Sequence, residues 1–113
     1  MHEMSIAESI VQIAEEAAAQ DGSARVRTVF VEIGALAMVE VEALHFCWDA
    51  VTREGRAAGA ALDISRTPGQ GCCLECSATV ALPGLFEPCP LCGSYQVKVM
   101  AGTEMRVREI EVE

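Results

Sequence analysis

Two Cys-x-x-Cys pairs, Cys73-Leu74-Glu75-Cys76 and Cys89-Pro90-Leu91-Cys92, constrain this chain more than any other feature. Twelve residues separate them, a spacing at which two tight turns converge on one ion. Each turn aims two thiolates at a common point, and together they supply the tetrahedral sulfur set that zinc accepts at ~2.3 Å. In the second pair Pro90 stiffens the turn, and Gly93 permits the positive-φ backbone that points amide groups back at the sulfurs. One pair alone would equally suit a redox dithiol, but that reading does not predict a second pair at ribbon spacing. Zinc is the expected occupant, and iron is chemically open to the same four thiolates.

With 113 residues, the chain is one ordinary domain or two small lobes, and the cysteine lobe is too short to bury much core. Its metal must hold it together: structural zinc contributes on the order of 10 kcal/mol of folding energy in small fingers. Six cysteines would also suit a disulfide scaffold. However, the chain opens Met1-His2-Glu3 rather than with a basic and then apolar leader, so a cytoplasmic location is expected. No apolar run approaches the ~20 residues of a membrane helix, so no membrane partner is expected. Lys and Arg number eight against seventeen acids, a formal charge of −9, which four ionised thiols around one Zn(II) make more negative still. Such a surface repels nucleic acid.

Ser5-Ile6-Ala7-Glu8 has the form of a capping box and predicts a helix start. An apolar stripe of Ile6, Ile10, Ile13, Ala14 and Ala17 follows, and Asp21-Gly22 ends the helix. From Arg25 to Gly34 the period changes to two, which predicts a strand with Val29, Val31 and Ile33 on one face. A second helix is expected from about Glu40 to Glu54, with Val41, Leu44, Trp48 and Val51 along one side and Gly55 beyond its end. His45 and Cys47 lie within it without a partner at metal-binding spacing, and are read as packing or surface residues. Ala61 to Thr67 reads as a strand, after which Pro68-Gly69-Gln70-Gly71 is expected to interrupt regular structure.

Thr79 to Leu82 and Tyr95 to Met100 are β-rich and flank the cysteine turns, which predicts a small antiparallel ribbon. Thr103 to Glu113 gives a last strand whose apolar parity changes, so a bulge is expected near Arg108-Glu109. The fold class is therefore α+β: two helices packed on a small mixed β-sheet, with an inserted four-cysteine zinc-ribbon lobe. Residues 1–67 with 103–113 are expected to form the α/β lobe, and residues 68–102 the ribbon.

The N-terminus offers a second metal site. The α-amine of Met1 and the amide and imidazole nitrogens of His2 can close linked five- and six-membered chelate rings. Glu3, through its carboxylate or its amide, completes a square that suits Ni(II) or Cu(II). The bulky His2 disfavours removal of Met1. Binding displaces a proton from an amine of pKa about 7.7 to 8.0, so affinity should fall with pH.

MHEMS at the start, IGALAMVEVEALHFCWDAV from Ile33 to Val51, the ribbon from CLEC to CPLCGS and the closing GTEMRVREIEVE together resemble the HypA/HybF family of hydrogenase nickel-incorporation proteins. The resemblance covers nearly the whole chain, in order. It implies a metallochaperone that delivers transferable Ni(II) to the large subunit of [NiFe]-hydrogenase, working with the nickel-handling GTPase HypB. The implied nickel site is Met1, His2 and Glu3, and the implied structural Zn(II) site is Cys73, Cys76, Cys89 and Cys92. Some members also serve urease. Cys72 adjoins the first turn but would leave three residues before Cys76, so it is given no ligand role.

Binding and transfer are expected rather than catalysis, since no nucleophile with a base and no phosphate loop is present. The alternative from another class is a rubredoxin-like electron carrier with iron in the four-cysteine site, which colour would distinguish. A zinc-ribbon nucleic-acid module is a third reading, and salt-dependent binding would be its signature.

Overall fold

The computed structural model describes residues 2–113 of the chain, which divides into two compact units. The first comprises Met1–Val31, Val39–Ser65 and Arg106–Glu113, and the second Glu32–Met38 and Arg66–Met105. Two helices, small sheets and clustered cysteines make the α+β fold expected from the sequence.

Helix α1 spans Glu3–Asp21 and packs against α2, Val41–Val51. It starts two residues before the Ser5-Glu8 box, with His2 in the N-cap position, and Ser5 and Glu8 are exposed helical residues. Its buried stripe is Ile6, Ala7, Ile10, Val11, Ala14 and Ala18, whereas Ile13 is 51% exposed and Ala17 lies on the surface. The buried stripe is rotated from the expected one toward the alanines. Ala7, Ala14 and Ala18 are wholly buried, and small residues at a helix contact let a neighbouring helix approach closely.

Helix α2 stops short of the expected Glu54. The buried Thr52 gives its hydroxyl to the Trp48 carbonyl at 2.7 Å, and its own backbone φ is −112°. Side-chain bonding of this kind competes with helix continuation. Trp48 and Leu44 are the buried residues of α2, and the Trp48 indole N–H donates to the Ala60 carbonyl at 2.7 Å. Burying a Leu of this kind contributes roughly 1.5–3 kcal/mol.

Strand β1, Val26–Gly34, is central in a three-stranded sheet between β2, Ala61–Thr67, and β6, Met105–Val112. Val29, Val31 and Ile33 are buried as their alternation predicts, while Thr28, Phe30 and Glu32 are half-buried. The last strand runs antiparallel to β1, since the Glu113 amide donates to Arg25 and the Gly34 amide to Glu104. Along it the half-buried positions are Val107, Ile110 and Val112, so the change of face falls at Arg108-Glu109.

The second unit holds an antiparallel sheet in the order β4-β3-β5, with β3 at Gly69–Cys73, β4 at Thr79–Leu82 and β5 at Val97–Ala101. The expected interruption at Pro68-Gly71 is instead the start of its central strand. Gly69 and Gly71 occupy the inward positions, and a Cβ on Gly71 would lie 2.6 Å from Val97 Cγ1 and 2.7 Å from Leu82 Cδ1. These glycines mark close approach rather than a turn. Leu36, Val80 and Leu82 form a core cluster with Cys73 and Cys89, so the thiols are part of the packing.

Candidate metal centres

The two cysteine turns fold alike. In the first, the Ser77 amide donates to the Cys73 carbonyl at 2.9 Å and the Cys73 amide to Ala78 at 2.9 Å. In the second, the Gly93 amide donates to Cys89 at 2.8 Å and the Cys89 amide to Ser94 at 2.7 Å. The residue after each pair has a left-handed backbone, Ser77 at φ 64° and Gly93 at φ 78°. The leading cysteine of each pair, Cys73 or Cys89, is buried, and the trailing one, Cys76 or Cys92, is exposed.

The four Sγ atoms lie within 4.8 Å of one another. Cys73 Sγ stands 3.5 Å from Cys92 Sγ, and Cys76 Sγ 3.8 Å from Cys89 Sγ. Four thiolates at ~2.3 Å from a tetrahedral zinc ion are separated by about 3.8 Å, so the donor set fits zinc. Without metal, the hydrogen bond from the Cys76 amide lowers the Cys73 thiol to about 7, against the raising effect of burial. The Ser94 amide pulls Cys92 down, but Cys73, burial and the other thiols outweigh it and push Cys92 up to about 12. Cys76 is also raised: the Ala78 amide lowers it, but Cys73, burial and Cys89 prevail. Of these three thiols Cys73 ionises most readily, and a bound zinc ion would favour thiolates throughout the set.

Cys72 is outside this cluster. It is half-buried, with its Sγ 3.9 Å from the Cys73 carbonyl, and it alternates with Cys73 along β3. His45 is exposed and Cys47 half-buried on α2; neither belongs to a cluster of three or more metal-binding side chains among the described residues.

At the other candidate site, Met1 lies outside the described residues. His2 is exposed, and its side chain makes no capping hydrogen bond to α1. Its carbonyl accepts the Ile6 amide at 3.2 Å, so Glu3 stands in the first helical position, where an amide has no acceptor within the helix. The Glu3 carboxylate is engaged: Oε2 accepts the Glu40 amide at 3.2 Å, at the N-cap position of α2. That bond is the chief reason the Glu3 carboxyl lies below its ordinary 4.5. The sequence reading had no signal for this contact between residues 37 apart, because the donor is main chain.

A family model described as "Hydrogenase/urease nickel incorporation, metallochaperone, hypA" matches residues 1–112. The chain belongs to the HypA family. A hydrogenase maturation factor HypA of Albidiferax ferrireducens is 53% identical over 113 residues, the whole of both chains. One from Azotobacter chroococcum is 55% identical, again over the whole of both. Among solved structures, the Ni metallochaperone HypA of Helicobacter pylori aligns with a TM-score of 0.67 at 26% identity, covering 99% of this chain and 97% of that one. The HypA family's description is of a metal carrier rather than a catalyst. Among the described residues no helix is long and apolar enough to cross a membrane.

Proposed function

We propose that the chain is a nickel metallochaperone that binds Ni(II) through Met1, His2 and Glu3 and delivers it for maturation of the [NiFe]-hydrogenase large subunit, with HypB as its GTPase partner in the cytoplasm. Residues 1–67 with 103–113 are the nickel-binding lobe. Residues 68–102 are the zinc lobe, held by Cys73, Cys76, Cys89 and Cys92. The observation that carries this reading is membership, over residues 1–112, of a family described by nickel incorporation.

The local geometry supports the N-terminal site and refines its donors. The Glu3 carboxylate accepts the Glu40 amide and also its own amide, so either Glu3 donor gives up a hydrogen bond to bind the ion; the amide, in the first turn of α1, is the donor we assign. His2 adds an uncommitted imidazole and an amide. Deprotonated amides suit the tetragonal coordination that Ni(II) takes. The start of a helix carries partial positive charge and disfavours a cation by itself, so the hold depends on those amides staying deprotonated. Protonation of amine and amides releases the ion, as a site that must hand on its cargo requires.

Nickel titration of the untagged protein beside His2→Ala and a form with one extra residue before Met1 tests the site. Both changes should abolish specific nickel binding and leave the zinc content intact. Unchanged nickel affinity in either would remove the N-terminal site.

A further inference from the structure

A cleft of about 380 Å³ runs along one flank of α1. Val11 and Ala19 of α1 and Val51 of α2 give it apolar lining, and Glu8, Glu15 and Glu16 give it three carboxylates. Among the described residues no Lys or Arg lines it. Two arginines of the same unit are spent elsewhere, Arg25 on the Ala58 carbonyl and Arg56 on that of Ser23. Glu15 also has a structural task, accepting the Ala57 amide at 3.1 Å; Glu8 and Glu16 are exposed, and Glu16 accepts the Gln12 side-chain amide at 3.2 Å. A solvated acidic face would account for the charges. The apolar strip of Val11, Ala19 and Val51 beside those charges is what a solvated acidic face does not by itself require.

The spacing specifies what fits. From residue 8 to residue 19 a helix rises about 16 Å, three turns, and Glu8 stands about 10–12 Å from Glu15 and Glu16, two turns away. We infer that this cleft docks a basic amphipathic helix of a partner protein, about three turns long, with Lys or Arg seven or eight residues apart and an aliphatic residue between them. The aliphatic group lies against Val11 and Val51, and Ala19 extends the apolar surface past Glu15 and Glu16. The flanking Lys or Arg stems follow the apolar surface and carry their charges to Glu8 at one end and Glu15 and Glu16 at the other. A second copy of this chain is disfavoured as the occupant, because each carries a formal charge of −9. The cleft residues lie outside the proposed nickel donors, so this inference stands apart from the nickel reading.

The test is fluorescence anisotropy with a labelled synthetic helix carrying Lys at i and i+7 and Leu between, titrated with the full chain. Wild type should bind saturably. E8K/E16K should weaken binding at least about tenfold and acquire binding to the same helix with Glu in place of Lys. E8Q/E16Q, which removes charge without reversing it, should weaken binding less, and V51S should weaken it without changing the salt dependence. E42K/E109K, with the same charge change at other exposed sites, should stay within about twofold. Nickel and zinc contents should be unchanged throughout. No binding to wild type, equal weakening by E42K/E109K, or failure of the charge swap in folded protein would overturn the inference. So would wild-type dimers that E8Q/E16Q dissociates, which would assign the cleft to a second copy.

Discussion

At the cysteine centre, buried Cys73 and Cys89 alternate with exposed Cys76 and Cys92, and matched hydrogen bonds close both turns. At the N-terminus, His2 stands exposed with its side chain uncommitted to capping, and a single contact from the Glu3 carboxylate reaches the Glu40 amide. Two of the four thiols, Cys73 and Cys89, are built into a core with Leu36, Val80 and Leu82, so loss of a metal held there would disturb the packing. His2 and Glu3, two of the proposed nickel donors, stand at the start of α1, and neither belongs to that core cluster. Permanence and transfer are therefore matters of how many long-range contacts each donor set is tied into.

The largest expected effect is at the cysteines. Cys89→Ser should lose zinc and unfold the β3-β4-β5 sheet, a loss on the order of 10 kcal/mol of metal-linked folding energy. Metal analysis and amide exchange across the strands measure it. Nickel binding should survive, and loss of both metals together would break the separation of the two sites.

A smaller effect is expected at Glu3. Glu3→Ala keeps the main-chain amide, so one nickel ion should still bind; loss of that ion would shift the donor to the carboxylate. The substitution should lower the melting temperature read from Trp48, the chain's one tryptophan. The Glu3 carboxyl lies below 4.5, chiefly because of the Glu40 amide. Its stabilisation is therefore present above pH 4.5 and disappears as pH falls through the lower folded value. The difference between the two proteins should close over that range.

The smallest expected effects compare the two turns. Ser77 holds φ 64° with a side chain where Gly93 holds φ 78° without one. Ser77→Gly should stabilise the zinc-loaded protein by about 1 kcal/mol, and Gly93→Ala should destabilise it by about as much. No atom lies within 4 Å of a Cβ built on Gly93, so strain alone is at issue. Denaturant midpoints that move together for both variants would show that the turns are not equivalent.

Much of the fold was legible from local pattern. The alternation at Val29, Val31 and Ile33 located the central strand, and the parity change near Arg108-Glu109 located the change of face in the last one. The misreadings came where a distant neighbour decides. Gly69 and Gly71 look like breakers until Leu82 and Val97 fill the space above them, and Ile13 looks like core although the fold buries Ala7, Ala14 and Ala18 instead. The cleft that Glu8, Glu15 and Glu16 share with Val51 had no local signal, since Val51 comes from another helix.

By itself the sequence pointed to the four cysteines that the fold gathers and to the proposed nickel donors, because each set is made of residues near one another in the chain: two turns of two cysteines, and three residues at its start. Tertiary structure alone decided which atoms of those sets are already engaged. It brought the Glu40 amide to the Glu3 carboxylate, beside the bond that the carboxylate accepts from its own amide. It also made Cys73 and Cys89 part of a core with Leu36, Val80 and Leu82. Such pairings depend on backbone groups and close approaches between distant segments, which residue spacing does not encode.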